Sequence, residues 1–286
     1  MTVIELVEAM AERLDRAGLA FGHGTTCADD EAAWLVLWRL GLALDALDEV
    51  AGDAVDARQQ AAVAELVDQR IRTRRPAAYL TGEAWLHGVP FHVDERVIVP
   101  RSLIAEVLVD GRIDAWLVDE PQRVLDLCTG NGSLAVLAAR HWPTARVDAT
   151  DLSADALAVA ALNVARHGLG ERIVLRQGDG LAAAEGVYDV VLCNPPYVNR
   201  ASMDVLPAEY RAEPAVALAG GEDGMDFVRQ LIPGVDRHLA PDGCLVLEIG
   251  HERAHFDVAF PALQPVWLET SAGEDQVLLL TREALA

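Results

Sequence analysis

The stretch Arg123–Ser133, with the sequence RVLDLCTGNGS, decides the fold class. Residues 123–127 are apolar apart from one arginine and one acid, which predicts a buried strand. Gly130 and Gly132 follow in a short loop, and an apolar run typical of a helix begins at Ser133. Because glycine has no Cβ, the backbone can turn sharply there and a ligand can approach it closely. A strand, a glycine loop and a helix in this order predict a ligand-binding turn of an α/β domain.

The glycine loop alone does not identify the ligand. It lacks the third glycine of G-x-G-x-x-G and the lysine of a phosphate-binding P-loop. The next predicted strand ends at Asp151, where a carboxylate can accept hydrogen bonds from both hydroxyls of a ribose, and the third ends at Asp179, where an adenine amino group could be bound. Each acid could instead cap the helix that follows it. Three successive strand ends of this kind favour a nucleoside-type ligand.

Outward from this stretch, short strands alternate with helices. The alternation predicts a seven-stranded, mostly parallel sheet with helices on both faces and the last strand inserted antiparallel. A helix over residues 102–117 is predicted to precede the first strand. The predicted strands cover residues 123–127, 146–152, 172–179, 188–194, 243–250, 265–270 and 276–283.

The first 76 residues predict a small helical bundle. Thr2 and Glu5 have the spacing of a capping box at the start of the first helix. Residues 31–47 are apolar nearly all round, which predicts a core helix. A third helix ends in an arginine-rich stretch that we interpret as a solvated helix end, with an RNA contact as the alternative. Its arginines are Arg70, Arg72, Arg74 and Arg75.

A β-hairpin is predicted to join the bundle to the α/β domain. Residues 77–101 carry glycines and prolines around short β-type runs at 91–93 and 97–99. We therefore expect a helical bundle over residues 1–76, a hairpin linker over 77–101 and an α/β domain over 102–286.

The amino-acid composition limits the classes of molecule that the protein can be expected to bind. The chain has 286 residues, of which 45 are acidic and 23 are basic, giving a formal net charge of −22. Every basic residue is arginine, which excludes chemistry that needs a lysine amine. The electrostatic field of such an acidic protein repels free nucleic acid, because binding nucleic acid requires positive charge. The same field attracts a basic protein.

Cysteine usage favours a reducing compartment, and the sequence carries no membrane or targeting signal. The four cysteines are scattered, without a C-x-x-C pair or histidines at ligand spacing, so we expect neither disulfides nor a metal site. The sequence has no run of eighteen apolar residues, and its first sixteen residues resemble neither a signal peptide nor a transit peptide. The cytoplasm is the expected location. The cysteines are Cys27, Cys128, Cys193 and Cys244.

The segment Cys193–Asn199, CNPPYVN, directly follows the predicted strand YDVVL. Asn194 and its two prolines could form a simple turn, and Tyr197 could be a core residue. A rigid polar tip at the end of a core strand is, however, where α/β enzymes place catalytic groups.

These motifs together resemble those of the protein-glutamine methyltransferases, a family of class I enzymes that depend on S-adenosylmethionine. The resemblance covers almost the whole chain and includes NPPY at Asn194–Tyr197 and EPAVALAGGEDGMDFVRQLI after it. DLCTGNG and the hairpin are closer to the branch that modifies ribosomal protein L-three. The release-factor branch typically has glycine at the position of Cys128, whereas Leu103 departs from the L-three branch, which usually has proline there.

The resemblance implies a Rossmann-like methyltransferase sheet and a role for each motif. Asn194, Pro195, Pro196 and Tyr197 would be catalytic. The cofactor S-adenosylmethionine would be bound by Asp126, Cys128, Thr129, Gly130, Asn131, Gly132, Asp151, Asp179 and Asn194. Two further residues are candidate substrate contacts: Arg101 at the hairpin exit, which could equally form a surface salt bridge, and Glu248, which we expect at the rim of the site.

The implied reaction is methylation of a glutamine side-chain amide in a basic protein, namely ribosomal protein L-three or a ribosome assembly intermediate. Three alternatives remain at this point. A release factor could be the substrate, an RNA or DNA amino group could be methylated, or the chain could be an assembly factor without turnover. The acidic charge disfavours the nucleic acids, and an intact NPPY disfavours a scaffold.

Overall fold

The N-terminal part of the chain is helical, as predicted. The computed structural model describes residues 1–285. The capping box at the first helix is present, because Thr2 N–H donates to Glu5 Oε2 at 2.7 Å and the Thr2 hydroxyl accepts from Glu5 N–H at 3.4 Å. The helices of this part are α1 (Val3–Arg16), α2 (Ala28–Leu40), α3 (Leu47–Val50), α4 (Ala57–Thr73) and α5 (Ala77–Thr81).

Helix α2 is shorter than the predicted core helix. Gly41 takes a left-handed conformation with φ of +72° directly after Leu40 and ends the helix. The prediction that the helix continues to residue 47 is therefore wrong. Leu35, Val36 and Leu37 are fully buried and contribute to the bundle core.

The arginine-rich end of α4 is only partly solvated: Arg72 is exposed, whereas Arg70 and Arg74 contact other parts of the bundle. Arg70 is completely buried, and its Nε lies 2.8 Å from Glu31 Oε1. Arg74 donates to the main-chain carbonyl oxygens of Ala17 and Gly18. Both arginines are therefore structural parts of the bundle, which corrects the interpretation from sequence for Arg70 and Arg74 but not for the exposed Arg72.

A two-stranded hairpin follows, made of β1 (Glu83–Leu86) and β2 (Val89–His92). The predicted β-type run at residues 97–99 does not form a strand, since its backbone has no partner strand. Val99 N–H instead donates to the Glu213 carboxylate at 2.9 Å. Val97 and Val99 are buried against Ala156 and the neighbouring apolar residues.

The long helix predicted over residues 102–117 is broken into two parts. Helix α6 (Ile104–Val109) ends just before Gly111, which has φ of +70°. A short 3₁₀ turn follows at Asp114–Trp116. Glycine in this left-handed conformation interrupts the helical hydrogen bonding, which the apolar pattern alone did not reveal.

The rest of the described chain alternates strands and helices as predicted. Its elements are β3 (Arg123–Leu127), α7 (Ser133–His141), β4 (Arg146–Asp151), α8 (Ala154–Arg166), β5 (Ile173–Gln177), β6 (Tyr188–Cys193), α9 (Arg200–Val205), α10 (Asp226–Val235), β7 (Leu239–Glu248), α11 (Arg253–Ala259), β8 (Val266–Thr270), β9 (Gly273–Thr281) and α12 (Arg282–Leu285).

Within residues 1–285 these strands form a seven-stranded sheet in the order β5-β4-β3-β6-β7-β9-β8. The first five strands in this order are parallel, whereas β9 pairs antiparallel with both β7 and β8. The strand order reverses direction between β3 and β6, and ligands of α/β sheets bind outside the carboxyl ends of strands at such a point. The predicted fold class is confirmed.

Each face of the sheet has its own apolar core because successive side chains of a strand point to opposite faces. Val124 of β3 packs with residues of α6 and α7, whereas Leu125 and Leu127 pack with residues of α10 and α11. Of the helices described in residues 1–285, none combines the length and the apolar character needed to cross a membrane.

Candidate active site

A cavity of about 330 Å³ lies at the carboxyl ends of the central strands. It brings together nine of the residues predicted from the sequence: Arg101, Cys128, Thr129, Gly130, Asn131, Asp151, Asp179, Asn194 and Pro196. The other predicted residues stand outside this lining: Asp126, Gly132, Pro195, Tyr197 and Glu248. The glycine loop, the two strand-end acids and the NPPY segment therefore share one site.

The glycine loop is held against the neighbouring strand by main-chain hydrogen bonds. Thr129 N–H donates to the Thr150 carbonyl oxygen at 2.9 Å. Gly132 has φ of +80°, and a Cβ at this position would lie only 3.2 Å from the Cβ of Ala160. Glycine is therefore favoured here, mainly by the left-handed backbone conformation and further by the close approach of α8.

Asp151 lines the cavity and also organises the loop. One carboxylate oxygen accepts from Gly130 N–H at 2.9 Å and the other from Ser153 N–H at 2.8 Å. It is not the cap of α8, because the Ser153 hydroxyl accepts from Ala156 N–H in that role. Burial raises the pKa of Asp151, against the effect of the backbone N–H groups. Asp179 precedes a 3₁₀ turn without making a side-chain cap to it.

Asp126 lies beneath the glycine loop and is completely buried. Its Oδ2 accepts from the Thr129 hydroxyl at 2.5 Å and from Ala135 N–H at 2.9 Å. Its Oδ1 has no hydrogen-bond partner among the described residues. Burial raises the pKa of Asp126 to about 7, despite these two hydrogen bonds. Its carboxyl group therefore titrates near neutral pH and braces the loop from below.

We expect Asp126 to make stability depend on pH in the protein without cofactor. Between about pH 4 and 7 the folded state retains a proton that the unfolded state has released, so the free energy of unfolding falls as pH rises. The slope is about 1.4 kcal/mol per pH unit for one such group. Asp126→Asn removes the titration and places an N–H₂ at the unpaired oxygen, so its stability relative to wild type should rise by roughly 2–3 kcal/mol between pH 5 and 7.

Denaturant unfolding at pH 5, 6 and 7 measures this difference. Asp155→Asn, at an exposed aspartate in the first turn of α8, is the control and should show no such trend. If Asp126→Asn and wild type change in parallel with pH, the raised pKa of Asp126 is contradicted.

Asn194 and Pro196 line the cavity from the end of β6. They are far from the glycine loop in sequence but close to it in the sheet, because β6 pairs with β3. Tyr197 lies behind them, and its hydroxyl donates to Glu248 Oε1 at 3.1 Å. Burial raises the pKa of Tyr197 well above its ordinary value, so the hydroxyl keeps its proton. Gly250 has φ of +54° and lies so close to the Tyr197 ring that a Cβ would overlap it. Tyr197 thus holds the NPPY turn from behind.

Glu248 is not at the rim of the site, which corrects the expectation from sequence. Its side chain is buried, and its Oε2 accepts from the Ser102 hydroxyl at 2.6 Å and from Leu103 N–H at 2.9 Å. Burial raises the pKa of Glu248, while these donors and Tyr197 act in the opposite direction. Glu248 therefore joins the hairpin exit to the NPPY turn below the cavity.

Arg101 lines the cavity, and it also forms an ion pair. Its two terminal nitrogens lie 2.6 and 2.7 Å from the two oxygens of Glu213. This bidentate geometry is the strong form of an arginine–carboxylate contact. The sequence suggested that Arg101 either faces the cleft or forms a surface salt bridge. In the structure it does both, although the salt bridge is largely buried.

Sequence reasoning missed several contributors to the site. Asn163 of α8 is fully buried, donates to the carbonyl oxygens of Asn131 at 2.8 Å and His92 at 3.0 Å, and accepts from His92 N–H at 2.7 Å. A single asparagine in the apolar run AVAALNVAR is the signal that could have identified it. The cavity lining also includes Arg96, Ile98, Ser102, Pro214, Val216, Ala217 and Phe227.

This sheet order and this cavity define an S-adenosylmethionine-dependent methyltransferase, and the family comparison agrees. The model of the methyltransferase small domain family matches residues 112–209. A methyltransferase from Pyrococcus furiosus has the same fold, with a TM-score of 0.50 at 17% identity, over 69% of this chain and 90% of that one.

Two relatives identify the particular family. Proteins named ribosomal protein uL3 glutamine methyltransferase are 55% identical in Bordetella pertussis, over 99% of this chain and 96% of the relative, and 52% identical in Burkholderia pseudomallei, over 98% and 94%. The chain belongs to the ribosomal protein uL3 glutamine methyltransferase family. The resemblance found in the sequence is confirmed, as is its closeness to the L-three branch.

The residues at the cavity fit the cofactor of this class. S-adenosylmethionine carries a carboxylate, a ribose diol and an adenine, which need donors, acceptors and an apolar surface. Asn131 is buried, lines the cavity, and its Nδ2 has no partner among the described residues, so a donor remains for the carboxylate. Asp151 and Asp179 supply acceptors, and Phe227 supplies an apolar surface.

Proposed function

We propose that this protein methylates the side-chain amide nitrogen of a glutamine in ribosomal protein uL3. The observation that carries the proposal is that Asn194 lines the same cavity as the glycine loop and the two strand-end acids. The names of the relatives in Bordetella pertussis and Burkholderia pseudomallei, each similar to this chain over nearly its whole length, support uL3 as the substrate.

A glutamine amide is a difficult nucleophile. The lone pair of its nitrogen is delocalised into the carbonyl group, and deprotonating it first would need a base far stronger than the side chains available at neutral pH. When bound, S-adenosylmethionine would supply a methyl group on a sulfonium, whose sulfur leaves readily as a neutral thioether. The task left to the protein is therefore to orient the amide and to stabilise the charge that develops on its nitrogen.

We propose that the NPPY turn carries out both tasks. The side-chain carbonyl of Asn194 and the main-chain carbonyl of Pro195, which lies between the two lining residues Asn194 and Pro196, would each accept one N–H of the substrate amide. The remaining electron density of the nitrogen would then face the methyl group. Two acceptors also stabilise the positive charge that develops on the nitrogen during transfer, until the nitrogen releases one of its protons to solvent. Proline fixes φ and has no N–H to compete, so the carbonyl groups stay in place. Orientation of this kind can supply up to about 7–11 kcal/mol in favourable cases.

Tyr197 would support the turn and not contact the substrate. Its buried hydroxyl bonded to Glu248 and its ring packed on Gly250 support this assignment. On the cofactor side we propose that Asp151 binds the ribose hydroxyls and Asp179 the adenine, and that the loop from Cys128 to Gly132 surrounds the methionine part. Asp126 would hold this loop in place from beneath through its hydrogen bonds to Thr129 and Ala135.

We propose that residues 1–76 recognise the protein substrate, that residues 77–101 link the two parts, and that residues 102–286 bind the cofactor and catalyse the reaction. The bundle supports such a role because its ion pairs reach the chain segment that follows NPPY. A net charge of −22 would attract a basic ribosomal protein, free or in an assembly intermediate, and repel free nucleic acid. The cytoplasm is the proposed compartment, since ribosomal proteins are made there.

Methyl transfer from labelled cofactor to purified uL3, a release factor and ribosomal RNA, assayed in parallel, tests the proposal. We expect label in uL3, retained after nuclease treatment and located on a glutamine by mass spectrometry. A uL3 preparation in which the methylated glutamine is replaced with alanine is the matched control and should accept no label. Label in RNA alone, or in the release factor alone, contradicts the proposed substrate.

A further inference from the structure

We propose that Glu213 is a positioning residue that fixes the substrate side of the cavity against the N-terminal bundle. The segment Glu209–Ala217, called the wall segment below, carries it. Glu213 does not line the cavity itself and acts through Arg101 and the residues that follow it. Because Asn194 defines the substrate side, the inference rests on the proposed function.

The Glu213 carboxylate joins three separate parts of the chain. It accepts from Val99 N–H at 2.9 Å and from both terminal nitrogens of Arg101 at 2.6 and 2.7 Å. His23 Nε2, from the loop between α1 and α2, lies 3.7 Å from its Oε2. The bundle, the hairpin exit and the wall segment therefore meet at one buried carboxylate.

Glu213 stays ionised in this position. Burial alone would raise its pKa, but His23 and Arg101 lower the pKa of Glu213 to about 2. A buried charge is costly unless it is fully paired, and removing one partner of such a pair is strongly destabilising locally. Three donors from the hairpin exit satisfy the carboxylate, so its burial produces a rigid junction.

The wall segment reaches the NPPY turn directly. Immediately after Glu213, Pro214, Val216 and Ala217 line the cavity. The chain then pairs with the residue that follows NPPY, because Val198 N–H donates to the Leu218 carbonyl at 2.8 Å and Gly220 N–H donates to the Val198 carbonyl at 2.9 Å. This part of the lining is therefore on the Asn194 side of the cavity.

A second buried carboxylate holds the other end of the wall segment. Glu209 is fully buried, and its Oε1 lies 2.8 Å from Arg74 Nε and 3.2 Å from Ala20 N–H. Between the two acids, the Tyr210 ring has its centroid 4.2 Å from that of His23 and 5.3 Å from the Arg101 guanidinium carbon. The wall segment is thus fixed to the bundle at Glu209, Tyr210 and Glu213.

The pairing with Glu213 also sets the charge at the cavity. Both terminal nitrogens of Arg101 are occupied by Glu213, so the guanidinium is held in one orientation and its charge is compensated locally. An unpaired arginine in the lining would repel a basic protein substrate. Losing Glu213 is therefore expected to impair binding of the protein substrate more than binding of the cofactor.

Glu213→Gln tests this, because it keeps the side-chain volume but removes the charge and one acceptor. We expect KM for uL3 to rise about tenfold or more and kcat to fall only a few-fold, since a loosened wall segment binds the protein substrate less tightly in the ground state and the transition state alike. The Kd for S-adenosylhomocysteine, measured by calorimetry, should stay within about threefold. Glu222→Gln is the control, because Glu222 pairs with Arg200 at 2.9 Å on the exposed surface after the same NPPY turn. It should match wild type in all three quantities.

Hydrogen–deuterium exchange gives a readout that does not depend on the substrate. In Glu213→Gln, the amides of residues 97–101 and 210–220 should exchange at least about tenfold faster, while those of β3 and β4 stay protected. Unchanged exchange in these segments contradicts the positioning role whether or not uL3 is the substrate. A wild-type enzyme that fails to label uL3 contradicts the proposed function alone.

Arg101→Met extends the test to a partly exposed partner, in case Glu213→Gln does not fold. If the two residues act as a unit, Arg101→Met should also raise KM for uL3, and the double variant should be no worse than the more impaired single variant. Additive effects of the two substitutions, or parallel losses in KM and in cofactor affinity, contradict the proposal and indicate a general loss of structure.

Discussion

Replacing Asn194 with alanine is expected to lower kcat for methylation of uL3 by roughly 10³-fold, which is the size of effect found when one preorganised polar group at a reacting centre is removed. Asn194 lines the cavity at the end of β6. Its side-chain carbonyl is the acceptor that we assign to one N–H of the substrate amide. Without it, the nitrogen loses both its orientation and one of the two groups that stabilise its developing charge.

Binding of the cofactor should change little in Asn194→Ala, because the glycine loop and Asp151 are untouched. Calorimetry with S-adenosylhomocysteine should give a Kd within a few-fold of wild type, and single-turnover labelling should isolate the loss in the transfer step.

Asn199→Ala is the matched control for Asn194→Ala. Asn199 lies five residues further along the chain, where its side-chain Oδ1 accepts from Ser202 N–H at 2.8 Å and caps α9, and its Nδ2 donates to Glu252 Oε1 at 2.6 Å. Loss of that cap costs about 1 kcal/mol of stability and should leave kcat near the wild-type value. Activity retained in Asn194→Ala would rule out the positioning mechanism, and an equal loss in Asn199→Ala would show that the turn as a whole is disrupted.

The core of the fold could be predicted because its signals are local. The strand at residues 123–127 is observed with the predicted bounds, and every other strand of the sheet lies within a few residues of its prediction, except that β7 begins earlier. Buried parallel strands are short apolar runs between glycines and helices, so periodicity identifies them directly. Parallel strand ends meet at one edge, which is why Gly130, Asp151 and Asn194 could be assigned to one site.

What could not be predicted depends on pairing between distant parts of the chain. Glu248 and Ser102 are 146 residues apart, and Arg101 and Glu213 are 112 apart. A sequence gives no indication which acid will meet which donor, so Glu248 was expected at the rim and Arg101 remained ambiguous. The prediction of a strand at residues 97–99 was wrong for the same reason, because a β-type pattern forms a strand only where another strand is available to pair with it.

The error at the end of α4 has an instructive physical cause. Four arginines at a helix terminus are most often solvated, and the helix dipole alone explains them. Here Glu31 and Glu209 approach from two other segments, and Arg70 is buried between them. A buried ion pair costs desolvation, so it is weak evidence for added stability, and what these contacts provide is a fixed geometry. That geometry links the bundle to the wall segment, and the proposed role of the bundle in substrate recognition rests on this link.

Asp151→Ala should affect the other half of the site and mainly weaken cofactor binding. The carboxylate accepts from Gly130 N–H at 2.9 Å and faces the cavity, so it both holds the loop and is the proposed acceptor for the ribose hydroxyls. Hydrogen bonds to a charged group contribute about 1.5–3 kcal/mol each. We expect the Kd for S-adenosylmethionine to rise roughly 10²-fold, while kcat at saturating cofactor stays within a few-fold because the NPPY turn is intact.

Calorimetry and a titration of rate against cofactor concentration measure the two effects separately. Asp155→Ala, four residues further along in the exposed first turn of α8, is the control and should bind cofactor as wild type does. Asp151→Asn keeps one acceptor oxygen and should be intermediate. A loss of kcat in Asp151→Ala that saturating cofactor does not restore would mean that Asp151 contributes to the transfer step itself, whereas unchanged affinity would remove it from the cofactor site. A cavity divided into a substrate half and a cofactor half requires opposite effects of the two substitutions. Asn194→Ala should lower kcat and leave the Kd for cofactor unchanged, whereas Asp151→Ala should raise that Kd and leave kcat unchanged.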